Sequence, residues 1–109
     1  MRHKKNVYEI FLHLLYRNFK SERQIRFYAD KLNVSSAYLS RMVKEISGTT
    51  VNDHITSLLY KEICNLLKQS DMTMGEIADY LHFNDQSALT NFFKTRAGMT
   101  PLAYRNQCN

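Results

Sequence analysis

The residue order of this chain repeats itself once, and that repeat limits what it can fold into. Ala29, Leu32, Leu39, Lys44, Gly48 and Thr50 recur as Ala78, Leu81, Leu89, Lys94, Gly98 and Thr100, the first two pairs 49 residues apart and the others 50. The one-residue slip falls between Leu32 and Leu39, where a turn is expected and an insertion is cheapest. A small residue, a turn, an apolar residue, a lysine and a helix-ending glycine in one order describe two helices joined by a tight turn, present twice. Two copies are too few for a stacked solenoid, which needs at least about three.

The periodicity around the repeat is helical throughout. Val7, Ile10, Phe11, Leu14 and Leu15 follow i, i+3, i+4, i+7, i+8, which predicts a first helix over about residues 6 to 19. Ser21 with Gln24 reads as a capping box opening a second helix through about Leu32. Asn33 suits the turn, Ser35 caps a third helix from about Ser36 to Ile46, and Gly48 ends it in a left-handed conformation. Thr50 and Asp53 cap a long fourth helix through about Gln69, with Ile55, Leu58, Leu59, Ile63, Leu66 and Leu67 on its apolar side. Thr73 and Glu76 form a further capping box for a helix to about Leu81, and Asn84 or Asp85 opens one through about Ala97. Thr100-Pro101 starts a last short helix with proline at its favoured first position. No segment alternates apolar and polar residues as a strand would. The expected fold is all-α, with about seven helices: a first helix-turn-helix subdomain with its packing helix over 1–53, a linker helix over 54–70, and a second subdomain over 71–109.

Charge narrows the function classes. Fifteen Lys and Arg against ten Asp and Glu leave a net charge of +5, which suits a polyanion. The excess lies in residues 1–53, so the first half should supply most of the attraction to phosphate. Cys64 and Cys108 form no Cys-x-x-Cys pair and no histidine cluster joins them, so neither a metal site nor a disulfide framework is expected, and a reduced, cytoplasmic setting fits. The apolar run from Val7 to Leu15 is too short to span a bilayer. No nucleophile elbow, phosphate-cradling glycine loop or His-Glu-x-x-His pattern is present, which argues against an enzyme and against a cofactor.

In a helix-turn-helix, a small residue lets the helices cross and apolar residues anchor the second helix, leaving its outer face to enter the major groove. Ala29 and Ala78 fit the crossings. Leu39, Met42 and Val43 fit the first set of anchors, and Leu89, Phe92 and Phe93 the second. The positions between them form the candidate DNA-binding set: Ser36, Ala37, Ser40, Arg41 and Lys44 in the first copy, and Gln86, Ser87, Thr90, Asn91 and Lys94 in the second. Arg41 has the chemistry to fork a guanine, Gln86 or Asn91 an adenine, and Ala37 to meet a thymine methyl. Lys44 and Lys94, near their helix ends, suit phosphate.

At these residues the chain resembles the DNA-binding domain of the AraC/XylS family of transcription regulators, over roughly residues 22 to 106. The most specific match is Ile77-Ala78, Phe83, Asp85-Gln86-Ser87, Phe93-Lys94, Gly98-Met99-Thr100-Pro101 and Tyr104-Arg105. The resemblance implies seven helices, two helix-turn-helix subdomains bridged by a linker helix, and binding of double-stranded DNA at an asymmetric site as activator or repressor. It points to Ala37, Ser40, Arg41, Lys44, Gln86, Ser87, Thr90, Asn91 and Lys94 as facing DNA. It also implies RNA polymerase as a partner and a C-terminal position in a larger regulator; the isolated domain is then expected to be monomeric and the full regulator dimeric. The chain departs from the family pattern at Leu59, Ile63, His82, Ala88-Leu89 and Asn91. These departures and the near-neutral second half motivate an alternative, a helical module that docks on a transcription partner and binds DNA weakly.

Overall fold

The structure, a computed structural model, describes residues 2–108; Met1 and Asn109, the outer ends of the expected subdomains, lie outside it. Seven helices follow in order: α1 (Arg2–Asn18), α2 (Ile25–Lys31), α3 (Ser36–Ser47), α4 (Val51–Gln69), α5 (Met74–Tyr80), α6 (Gln86–Ala97) and α7 (Pro101–Cys108). Among the described residues there is no strand. The chain divides into two compact units, Met1–Ser57 and Leu58–Asn109, and the division falls inside α4.

In the first unit, α1 buries Val7, Phe11 and Leu15 and Phe19 is buried just after it, while α2 contributes Tyr28 and Ala29, and α3 contributes Leu39, Met42 and Val43. Phe11 meets the edge of Tyr28 at 5.8 Å between ring centres, an arrangement favoured by the ring quadrupole. Lys4 of α1 pairs with Glu45 of α3 at 3.1 Å. Tyr8 reaches His54 Nε2 at 3.1 Å, and the Nδ1 of the same ring lies 2.7 Å from the Thr50 carbonyl. α1 is thereby joined both to the last turn of α3 and to the first turn of α4.

Three expectations need correction here. α1 begins at Arg2 rather than near residue 6; Arg and Lys are good helix formers and need no cap to extend a helix backwards. α2 begins at Ile25, its N-cap Gln24 makes no side-chain capping bond, and Ser21 stands in the preceding turn. The C-terminus of α1 has claimed that segment, since the Ser21 and Glu22 amides both donate to the Asn18 carbonyl. The Tyr28 hydroxyl then donates to the Glu22 carbonyl at 2.7 Å. Ile10, expected on the apolar face, is 52% exposed, because it lies at the edge of a stripe centred on Phe11 and Leu15.

The second unit repeats the plan. Ile77 and Ala78 of α5, Leu81 after it, and Leu89 and Phe93 of α6 are buried. Tyr60 from α4 stacks on Phe93 at 5.3 Å, and Tyr104 from α7 meets the same ring at 5.4 Å. Arg105 of α7 donates to the carbonyls of Leu66, Leu67 and Ser70, closing the C-terminal end of α4. The Leu66 carbonyl already accepts from the Ser70 amide and hydroxyl; the guanidinium also satisfies the Leu67 and Ser70 carbonyls at the helix end, which water would otherwise have to reach.

α4 carries its buried residues every fourth position: Val51, Ile55, Leu59, Ile63 and Leu67. Four residues advance a helix by one turn and about 40° more, so the stripe winds through roughly 160° between its ends. One helix thus supplies apolar residues to both units.

Candidate nucleic-acid interface

Each helix-turn-helix is set by its turn. After α2, the Val34 amide donates to the Ala29 carbonyl at 3.0 Å and the Asn33 amide to the Asp30 carbonyl at 3.2 Å. After α5, Phe83 donates to Ala78 at 2.8 Å and His82 to Asp79 at 3.2 Å. Both are Schellman closures, which require a left-handed residue just past the helix. Asn33, at φ 57°, and His82, at φ 60°, fill that place. The repeat therefore extends to backbone conformation, although the residue types differ.

The second helix of each pair is capped by its own side chain. Ser35 accepts from the Tyr38 amide at 3.0 Å and Asp85 from the Ala88 amide at 2.8 Å. Both helices end on a left-handed glycine, Gly48 at φ 83° and Gly98 at φ 75°, whose amides donate to the Lys44 and Lys94 carbonyls at 2.9 Å.

These constraints fix which side chains face outward. On α3, Ala37, Ser40, Arg41 and Lys44 are exposed and Ser36 is half-buried. On α6, Gln86, Ser87, Asn91 and Lys94 are exposed and Thr90 is half-buried. Within each unit the candidate residues share one side of one helix, with the anchors behind them. Among the described residues, no carboxylate pairs with Arg41, Lys44 or Lys94. The charge of Lys44 helps hold the Asp53 carboxyl below its usual range, after the larger effect of the Thr50 amide and hydroxyl that bond it. Phe92 departs from the expected anchor role: it is half-buried, against a fully buried Met42 at the equivalent place in α3. Phe83 lies 5.5 Å from its ring and the Arg96 guanidinium 4.1 Å above it.

The structure adds residues to the first face. Beside Ser40 lies a crevice of about 300 Å³ whose walls include Arg23, Gln24, Thr50 and Asn52. Burial holds the Arg23 guanidinium below its ordinary pKa. The sequence placed Arg23 and Gln24 inside a helix; the later start of α2 puts them ahead of it, next to the α3 face. Nothing in the local pattern signals this, because it depends on how α1 ends.

Among the described residues, no group of three or more His, Cys, Asp or Glu side chains could hold a metal ion. Among the same residues, no helix is long and apolar enough to cross a membrane. Cys64 is half-buried and Cys108 exposed, both as free thiols.

A family model described as a helix-turn-helix domain matches residues 28–107. The chain is 27% identical over 103 residues to the HTH-type transcriptional regulator YtdP of Bacillus subtilis, covering 94% of this chain and 13% of that protein. It is 28% identical over 88 residues to the multiple antibiotic resistance protein MarA of Salmonella typhimurium, covering 81% of this chain and 69% of that one. In three dimensions it is similar to the C-terminal domain of the two-component response regulator yesN from Fusobacterium nucleatum. That match has a TM-score of 0.86 and 27% identity, over 92% of this chain and 98% of the other. The first relatives are thus longer than the chain, which spans about an eighth of YtdP.

Proposed function

Because the chain belongs to the AraC/XylS family of transcription regulators, and is a sequence-specific DNA-binding module of that family, we propose that α3 and α6 are its two recognition helices. One observation carries this reading: the outward positions of α3 and α6, opposite the buried anchors, coincide under the internal repeat, Ala37, Ser40, Arg41 and Lys44 with Ser87, Thr90, Asn91 and Lys94. Ser36 and Gln86 open the two helices, where backbone amides suit phosphate oxygens. The subdomains are then 1–53 and 71–109, with 54–70 linking them. Each recognition helix enters a major groove, the two lying in successive segments of one duplex.

The units divide the work. Arg41 and Lys44, with Arg23 beside Ser40, make the first unit the anchor. Gln86, Ser87, Thr90 and Asn91 offer hydrogen-bonding groups without charge and make the second the discriminator. The module acts on double-stranded DNA in the cytoplasm by binding, not by catalysis. It is monomeric by itself and part of a larger regulator that meets RNA polymerase.

Selection of duplexes from a random pool, followed by anisotropy titration, tests this reading. Arg41→Ala should cost about 1–3 kcal/mol on the selected site if Arg41 reads a base, and weaken specific and random DNA equally if, as an anchor, it contacts phosphate. Lys44→Ala and Lys94→Ala should weaken all sequences alike and lower the salt slope by about one. A wild-type chain with no preference for any duplex over bulk DNA would refute the proposal. Equal effects of alanine in α3 and α6 on affinity and salt slope would refute the division of labour.

A further inference from the structure

Of the three glycines, Gly48 and Gly98 are held at positive φ, whereas Gly75 lies in the first turn of α5 with no left-handed backbone to require it. Glycine weakens a helix relative to alanine, so its presence there calls for another reason. Its surroundings supply one. A Cβ on Gly75 would lie 3.6 Å from Gln86 Oε1 and 4.0 Å from Thr73 Oγ1. The side-chain amide of Gln86 thus rests over the bare backbone of α5.

This arrangement is particular to the second unit. Under the offsets of the internal repeat, Gly75 answers to Arg26 and Gln86 to Ser36. The first unit has a long side chain on its first helix and a short one opening its recognition helix; the second unit has the reverse. Arg26 turns along its own helix, with Asp30 4.0 Å away, and Ser36 is half-buried where Gln86 is exposed. The N-terminal residues of a recognition helix are the ones that meet base edges, and an amide carries the donor and acceptor that fork an adenine. Gln86 is the first residue of α6, and among the described residues no hydrogen bond engages its side chain. A long, unrestrained side chain loses rotamer freedom when it fixes a base. Contact with Gly75 confines Gln86 on one side beforehand and leaves its amide free to bond.

We propose that Gly75 is a positioning residue for base recognition: its missing side chain makes the seat from which Gln86 presents its amide to one base pair. A lone Cβ at Gly75 would be in ordinary van der Waals contact with Gln86, so alanine preserves the seat. A larger side chain fills it and displaces Gln86. The proposal rests on the reading of α6 as a recognition helix.

The experiment measures affinity of the whole chain for its selected duplex and for every single-base-pair variant of that duplex. Gln86→Ala should erase the preference at one base pair, which in the wild type is at least about fivefold. Gly75→Val should reduce that same preference to no more than about twofold and leave the preferences at other base pairs in place. Gly75→Leu, with a better helix former, should do the same. Gly75→Ala should keep the preference, and combining Gly75→Val with Gln86→Ala should add nothing to the loss from Gln86→Ala alone. Unchanged circular dichroism and melting no lower than wild type confirm folding of the variants. The proposal fails if the two bulky variants keep the preference, if Gly75→Ala loses it, if Gln86→Ala erases none, or if the paired effects add. It also fails if the bulky variants weaken selected and random duplexes alike, which would make Gly75 a gap for the phosphate backbone instead. A wild type with no preference for any duplex would identify failure of the underlying DNA-binding reading.

Discussion

Asn33 and His82 occupy the same left-handed place in the two turns, at φ 57° and 60°, but bear its strain unequally. A short amide side chain tolerates that region better than an imidazole does, and for an ordinary L-residue the cost is roughly 1–2 kcal/mol. Glycine carries no such cost, although its freedom in the unfolded chain offsets roughly 0.5–1 kcal/mol of the gain. His82→Gly should therefore raise stability by up to about 1 kcal/mol, read as a higher urea midpoint at constant slope. Gly98→Ala, with φ 75° at the end of α6, should lower it by about 1–2 kcal/mol. An unchanged or lower midpoint for His82→Gly would mean that contacts of the imidazole outweigh the backbone strain.

Helix ends give a second measurement and show what the sequence could reveal. Thr73 accepts from the Glu76 amide at 3.1 Å while the Glu76 carboxylate accepts from the Thr73 amide at 2.8 Å. Thr73→Ala should therefore cost about 1 kcal/mol in thermal or urea unfolding. Ser21→Ala should change stability by less than about 0.5 kcal/mol; a loss as large as that of Thr73→Ala would show a cap where the structure has a turn. Where a cap depends on residues three apart, as at Thr50, Thr73, Asp85 and Thr100, the pattern in the sequence suffices. Ser21 misleads because bonds that its own side-chain pattern does not show, from the Ser21 and Glu22 amides to the end of α1 and from the Tyr28 hydroxyl to Glu22, decide the conformation of its segment. The outward faces of α3 and α6 were legible for the same local reason, since buried anchors at helical spacing define what lies opposite. Phe92 was misassigned because periodicity names a face and not what covers it. Arg23 was missed because the crevice beside Ser40 is assembled from three helices.

For the molecule as a whole, three phenols, Tyr28, Tyr60 and Tyr104, hold their protons above the ordinary range and should shape behaviour in alkali. Burial, then the charge of Glu22, pushes Tyr28 up to about 12. Tyr104 is pushed up to about 12 first by its hydrogen bond to Cys64 and then by burial. Each folded-state value lies above the ordinary 10.0, so the folded chain holds these protons more tightly. The resulting stability is fully present below pH 10 and is lost as pH rises toward about 12. Denaturant midpoints should hold steady through neutral pH and fall over that window, and Tyr28→Phe should flatten part of the fall. A profile unaltered by Tyr28→Phe would mean that other groups drive the alkaline loss.

The two units meet within α4, between Ser57 and Leu58, so the copies share a helix and have no loop between them. A cut or crossover at that point would divide one cylinder into stubs, each lacking half of the winding stripe from Val51 to Leu67. The copies are consequently poor cassettes for recombination. On the DNA-binding reading proposed above, new preferences would then arise by point substitution on the outer faces of α3 and α6, leaving the shared helix as the unexchangeable part.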